Sequence, residues 1–242
     1  MLAENVKGRI RLKKKILITI GVLILLIAIL IAVFVVKDLR QEKTLRDEIA
    51  SIQELAGSEQ MDMDAVNEKL GHIVTTGDYA KVEKAVKNYM ADNFNNAITI
   101  AEVSSDEVLT SALTAENYTS DGPDFVKTKL LLSDLQKRLT KAKEEQKRLS
   151  TNETVMSYLK DKEDSYYVDL YKEIIGEEES ASEDAIEIEQ SIDEVLDMVA
   201  VEQNVIDFLS ENKGQWTVQD GIIAFSDEAL NVQYNQLLLE LE

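Results

Sequence analysis

Apolar positions along this chain follow three patterns, each predicting a different kind of element. The first is an unbroken run. From Ile16 to Val36 the sequence ILITIGVLILLIAILIAVFVV holds 21 residues without a charge, and Thr19 is its one polar side chain. At about 1.5 Å per residue it makes a helix of roughly 31 Å, the thickness of a bilayer's hydrocarbon core. A buried core helix shows a polar stripe, whereas this run is apolar all round. Cleaved signal peptides have a shorter apolar region, about 7–15 residues, ending in small residues. Here Val33 to Val36 lead directly into Lys37 and Asp38, so the run reads as a retained signal-anchor helix. Ala28 and Ala32 within it have the four-residue spacing of small residues at helix–helix contacts, in a single pair.

The second pattern is a recurrence of apolar residues every three or four positions, which predicts amphipathic helices. Leu45, Ile49, Ile52 and Ala56 mark a first helix ending at Gly57. It spans only about two heptads, which favours packing on its own domain over a dimerising coiled-coil stalk. GSEQMDMD reads as a connection, followed by a short helix through Leu70 and a turn at Thr76-Gly77-Asp78. Tyr79 to Val103 is a long helix with Val82, Ala85, Val86, Tyr89, Met90, Phe94, Ala97, Ile98 and Ala101 along one stripe. Ser105 is placed to cap a brief second helix that ends near Ala115, and ENYTSDGPDF reads as the clearest loop, with Pro123 in the first turn of the helix after it. Between Asp124 and Leu149, Leu132, Leu135, Leu139, Ala142 and Leu149 form the most regular seam. Thr151 or Asn152 caps a further helix with Val155, Met156, Tyr158 and Leu159, and SYYVDLYKEIIG closes another at Gly176. EEESASED reads as an acidic surface linker before a second long helix, Ala185 to Leu209.

The third pattern has period two. In GQWTVQDGIIAFS, Asp220-Gly221 is a two-residue hairpin signal, and closing on it sets Val218 opposite Ile223 and Trp216 opposite Phe225. Two strands are not stable alone, so a final helix capped by Ser226 is expected to help cover that face with Leu230, Tyr234, Leu237, Leu238 and Leu241. Trp216 then belongs to the core of that corner. The fold class is mainly α: a single transmembrane helix, then an extracytoplasmic helical bundle with a small C-terminal β-hairpin plus helix.

Charge gives this architecture a direction. The 242 residues carry a formal net charge of -20. Residues 1–15 hold Lys7, Arg9, Arg11, Lys13, Lys14 and Lys15 against Glu4, a count of +5, and residues 16–36 hold none, which leaves -25 for residues 37–242. Lysine and arginine beside an anchor are retained in the cytoplasm. The chain therefore divides into a basic cytoplasmic tail (1–15), the transmembrane helix (16–36), a juxtamembrane helix or stalk (37–60) and an acidic extracytoplasmic domain (61–242). So acidic a domain repels nucleic acid. Nine glycines and one proline argue against a turn-dense β fold, and the lack of cysteine excludes disulfides and thiol chemistry.

Candidate chemistry is sparse. His72 is the one histidine, so no histidine pair can hold a metal or relay a proton. No nucleophile elbow, phosphate loop, zinc helix or dinucleotide fingerprint is present. Asp62, Asp64 and Glu68, or Glu177, Glu178 and Glu179, offer oxygen ligands for calcium, but Val66 and Asn67 stand where a calcium loop needs an oxygen ligand and then glycine. Asn117-Tyr118-Thr119 and Asn152-Glu153-Thr154 match the short glycosylation pattern. No catalytic, cofactor-binding or metal residue is assigned. The expectation is a non-enzymatic interaction or scaffold domain that meets the bilayer through residues 16–36 and binds another envelope or membrane protein, its acidity favouring a basic partner. A homo-oligomer is possible but not indicated. A solute-sensing ectodomain acting through a partner membrane subunit is the alternative.

Overall fold

In a computed structural model the described residues are 40–58, 62–159, 165–176 and 178–241, apart from the side chains of Arg40 and of 178–185. The predicted transmembrane run, Ile16 to Val36, lies outside them, as does the basic tail. Among the described residues no helix is long and apolar enough to cross a membrane. Mainly helical structure with a small C-terminal hairpin and helix is what the chain adopts. The elements are α1 (Arg40–Ala56), α2 (Met63–Gly71), α3 (Asp78–Ser104), α4 (Val108–Ser111), α5 (Ala115–Ser120), α6 (Val126–Leu149), α7 (Asn152–Ser157), α8 (Ser165–Ile175), α9 (Glu178–Glu211), β1 (Trp216–Gln219), β2 (Ile222–Phe225) and α10 (Glu228–Leu239).

These helices build two compact units. One contains 99–142 and 191–241; the other contains 40–98 and 143–190, each within the described residues. α3, α6 and α9 give a part to each.

In the unit built on α1, the four apolar positions read from sequence, Leu45, Ile49, Ile52 and Ala56, are all buried, none more than 3% exposed. α1 thus packs within its own unit, against α2. The Asp62 carboxylate starts α2 by accepting a 3.0 Å hydrogen bond from the Ala65 amide. The α3 stripe holds at Val82, Ala85, Val86, Met90, Phe94 and Ala97, then shifts to Ile100 and Val103, leaving Ile98 and Ala101 half-buried. A 3.6-residue turn drifts against any fixed three- and four-residue count, so a long seam rotates around its helix.

In the other unit, Leu132, Leu135, Leu139 and Ala142 of α6 are buried as the seam predicts. The hairpin pairs Trp216 with Phe225 and Val218 with Ile223, and both turn residues have positive φ, 51° at Asp220 and 77° at Gly221. That is the backbone a type I′ turn requires.

Five sequence expectations are corrected. The expected loop 116–125 contains α5, because Thr114 caps it by accepting from the Asn117 amide, and Pro123 stands before α6 rather than in its first turn. Asp121 starts α6 instead: its carboxylate accepts from the Lys127 amide at 3.2 Å and the Thr128 amide at 2.7 Å. The expected linker EEESASED is helical from Glu178, consistent with the helix propensity of glutamate and its fit to the positive end of a helix dipole. Ser105 does not cap α4, which ends at Ser111; Asp106 accepts from the Val108 amide, and the Ser105 hydroxyl turns back to the Glu102 carbonyl. Finally, Asp227 and not Ser226 caps α10, since the Ser226 amide and hydroxyl both bond the Gln215 carbonyl and close the hairpin.

Candidate interaction surface

Charged side chains at the core of a fold are where chemistry is usually found, and among the described residues Lys87 and Glu83 are the most deeply buried of them. Lys87 Nζ, 1% exposed, contacts Glu83 Oε1 at 2.7 Å, Glu48 Oε1 at 3.0 Å, and the carbonyls of Lys69 at 2.8 Å and His72 at 2.5 Å. Glu83, fully buried, also accepts from the Val74 amide, the Thr75 amide at 2.8 Å and the Thr75 hydroxyl at 2.7 Å. Burial alone would raise the carboxyl pKa of Glu83, but the Lys87 bond and the Thr75 and Val74 donors hold it below the ordinary range. Glu48 is likewise held down, against burial, by Lys87 and Lys69. The lysine makes four contacts with three protons, so the cluster spends its capacity on tying α1, α2 and residues 72–75 to α3. That is a fastening, and sequence reading missed it because Glu83 and Lys87 look like an ordinary exposed four-residue pair.

A second cluster joins tyrosines to acids in the same unit. The Tyr79, Tyr166 and Tyr167 rings meet edge to face with centroids 5.2 to 6.5 Å apart, too close to admit a ligand between them. The Tyr166 hydroxyl donates to Glu42 at 2.5 Å, and Arg46 bridges Glu42 and Glu173. In the same unit the Tyr158 hydroxyl donates to Asp92; burial and that carboxylate push its pKa up to about 12.

In the other unit, aromatic residues form the corner that the hairpin predicts. Trp216 stacks on Phe125 with centroids 5.9 Å apart, and its Nε1 donates to the Leu209 carbonyl at 2.7 Å. Tyr118 shares a hydroxyl contact with Tyr234 at 3.2 Å, and Phe225 lies against Phe208 and Tyr234. Trp216 belongs to this packing, as expected.

The remaining candidates from sequence are not brought together. His72 is exposed at the C-terminus of α2, offering its carbonyl to Lys87. Asp62 caps a helix, and the side chains of Glu177 to Glu179 lie outside the described residues. Among the described residues no group of three or more His, Cys, Asp or Glu side chains is placed to hold a metal ion. Asn117 is tied by its amide to the Ala112 carbonyl and the Thr128 hydroxyl, beside buried Tyr118, which sets it apart from an open glycan acceptor; Asn152 is exposed.

Comparison with known proteins matches this chain to no family model, no curated protein and no solved structure. α9 carries twelve acidic residues and no basic one, while α6 carries eight basic residues against three acidic. Within the unit 99–142 and 191–241 the two lie side by side in opposite directions, with Lys129 2.8 Å from Asp207 and Gln203 3.4 Å from Gln136. α6 thus answers the charge of α9 along one flank. Its solvent face is different: Val126 is 63% exposed, Leu130 68% and Leu131 42%, with Lys127, Lys137 and Lys141 exposed around and beyond them.

Proposed function

We propose that this chain is a non-enzymatic, membrane-anchored interaction module, held by Ile16 to Val36 with its N-terminus in the cytoplasm, whose extracytoplasmic domain binds or scaffolds another envelope or membrane protein. The observation that carries the reading is the outer face of α6. Val126 and Leu130, one turn apart, stay in solvent on the side of the helix opposite buried Leu132, Leu135 and Leu139, and Leu131 is exposed at the border of that buried side. Apolar side chains gathered on one exposed face, rimmed by charge, mark protein contacts more often than isolated ones do. The anchoring part rests on the length and chargelessness of the run and on the basic residues before it. A partner that seats on α6 meets apolar and basic groups there and an acidic surface elsewhere.

The test uses the full chain in its membrane. Alkaline carbonate should leave it in the membrane pellet, and protease added outside should digest residues beyond 37 while sparing the tail. Affinity purification should then recover one envelope protein with the unaltered chain and lose it with Leu130→Glu. Release by carbonate removes the anchor from the reading, and equal recovery with Leu130→Glu removes α6.

A further inference from the structure

α10 is nearly without charge on a chain that is strongly acidic. Its twelve residues, EALNVQYNQLLL, include Glu228 as their single ionisable side chain other than Tyr234. Tyr234 is buried against Phe225 and the Tyr118 hydroxyl, so the helix packs its inner side on the hairpin. The side left in solvent carries Val232 at 49% exposure and Leu239 at 63%, one heptad apart, with exposed Asn235 and Gln236 between them. Depletion of charge with apolar residues left exposed is the composition of an interface core.

The order of those residues points to the occupant. Read from either end, the stripe runs apolar, amide, amide, apolar. A two-fold axis between Asn235 and Gln236 sets Val232 of one copy against Leu239 of the other, and Asn235 against Gln236. Asn235 Nδ2 already donates to the Asn231 carbonyl at 2.7 Å, which leaves its Oδ1 to accept from Gln236 of the other copy. Acids approach one another only at the two ends of the pair, where Glu240 would face Asn231 about 4.5 Å along the axis from the other copy's Glu228. We infer that α10 is a self-association face, on which two copies of this chain pair their C-terminal helices antiparallel about that axis. A closed two-fold contact of this kind needs only one patch per copy.

One twelve-residue face buries less than the roughly 800 Å² per partner of a stable complex, so the pair is weak and concentration-dependent. Copies of net charge -20 also repel, so added salt strengthens the pair by screening, the opposite of what it does to a contact held by ion pairs.

The absence of cysteine makes the test direct, because each single substitution adds the molecule's one thiol. Full-length chain with Gln236→Cys, oxidised at rising concentration, should give a disulfide-linked dimer, since position 236 lies within about 2 Å of its mate along the axis at 1.5 Å per residue. Ala229→Cys, about 20 Å from its mate along the axis in the antiparallel pair, and Lys141→Cys on α6 should stay at background. Adding Val232→Asp or Leu239→Asp to Gln236→Cys should cut dimer formation roughly tenfold, equally for the two, because the symmetry sets each against the other. Unchanged circular dichroism and Trp216 fluorescence in those variants show that the fold is intact. Mixing copies with Val232→Asp and copies with Leu239→Lys should recover part of the loss. Dimer formation with Gln236→Cys no faster than with Lys141→Cys overturns the inference, and so does equal cross-linking at Ala229→Cys, which requires a parallel pair.

Discussion

The ammonium of Lys87 stands 2.7 Å from the carboxylate of Glu83, one turn earlier on α3, and solvent reaches neither side chain to more than 1%. Four residues apart, such a pair on a helix surface adds a few tenths of a kcal/mol; enclosed, it is a different object. Glu83 holds the amides at 74 and 75 while Lys87 holds two carbonyls at the end of α2 and Glu48 of α1. Removing the cation leaves buried Glu83 with only its Val74 and Thr75 donors and Glu48 with only Lys69. Lys87→Met is expected to destabilise by about 3–5 kcal/mol, Glu83→Gln by less because Glu48 still answers the lysine, and the double variant by less than the sum. Urea unfolding of the three variants gives the cycle.

Acid should weaken the same fastening. Glu48 and Glu83 have pKa values below the ordinary 4.5 in the folded chain, so the unfolded chain takes up protons first as pH falls. Their contribution is complete above the unfolded value and is lost as pH drops through the lower, folded values. Melting temperature should be level around neutrality and decline below about pH 4.5. In a double Glu48→Gln, Glu83→Gln variant the acid decline should be shallower; an unchanged slope assigns it to other carboxylates.

Asp121 has an outsized local task. Its carboxylate accepts from two amides at the start of α6 and from the Thr128 hydroxyl at 2.7 Å. Asp121→Ala is expected to cost about 1–2 kcal/mol and lower the melting temperature by about 2–4 °C per kcal/mol. Asp121→Asn should retain part of the effect, because the amide oxygen still accepts.

Trp216 offers two separable contributions. Trp216→Phe keeps a ring against Phe125 but loses the 2.7 Å bond to the Leu209 carbonyl, for about 1 kcal/mol. Trp216→Ala opens the corner and should cost about 3–5 kcal/mol. Denaturant titration followed by circular dichroism measures both.

Leu130→Glu separates stability from binding. The side chain is 68% exposed, so its replacement should move stability by no more than about 0.5 kcal/mol while abolishing capture of the α6 partner.

The sequence was most legible where a local rule suffices. Asp220-Gly221 dictates the hairpin and its register, because few other dipeptides accept positive φ at both positions. The seams Leu45 to Ala56 and Leu132 to Ala142 name their buried faces, because helical period alone decides which side chains point together. Caps were less legible. Ser105 and Ser226 carry the right chemistry in nearly the right places, but Asp106 and Asp227, one residue on, accept from the helix amides, and Asp121 starts α6 although Pro123 lies nearer to it. Only the path of the chain chooses between such neighbours.

By itself the sequence determined the helical class, the hairpin, the charge asymmetry and the 21-residue apolar run, each a property of residues near one another along the chain. Tertiary structure decided which polar groups leave water. Nothing local distinguishes Glu83 and Lys87 from other acid–base pairs at helical spacing; they are enclosed because α1, α2 and residues 72–75 pack across them. Nor does any local rule set Leu130 and Leu239 apart from Leu132, since an apolar side chain is buried only where another element arrives to cover it.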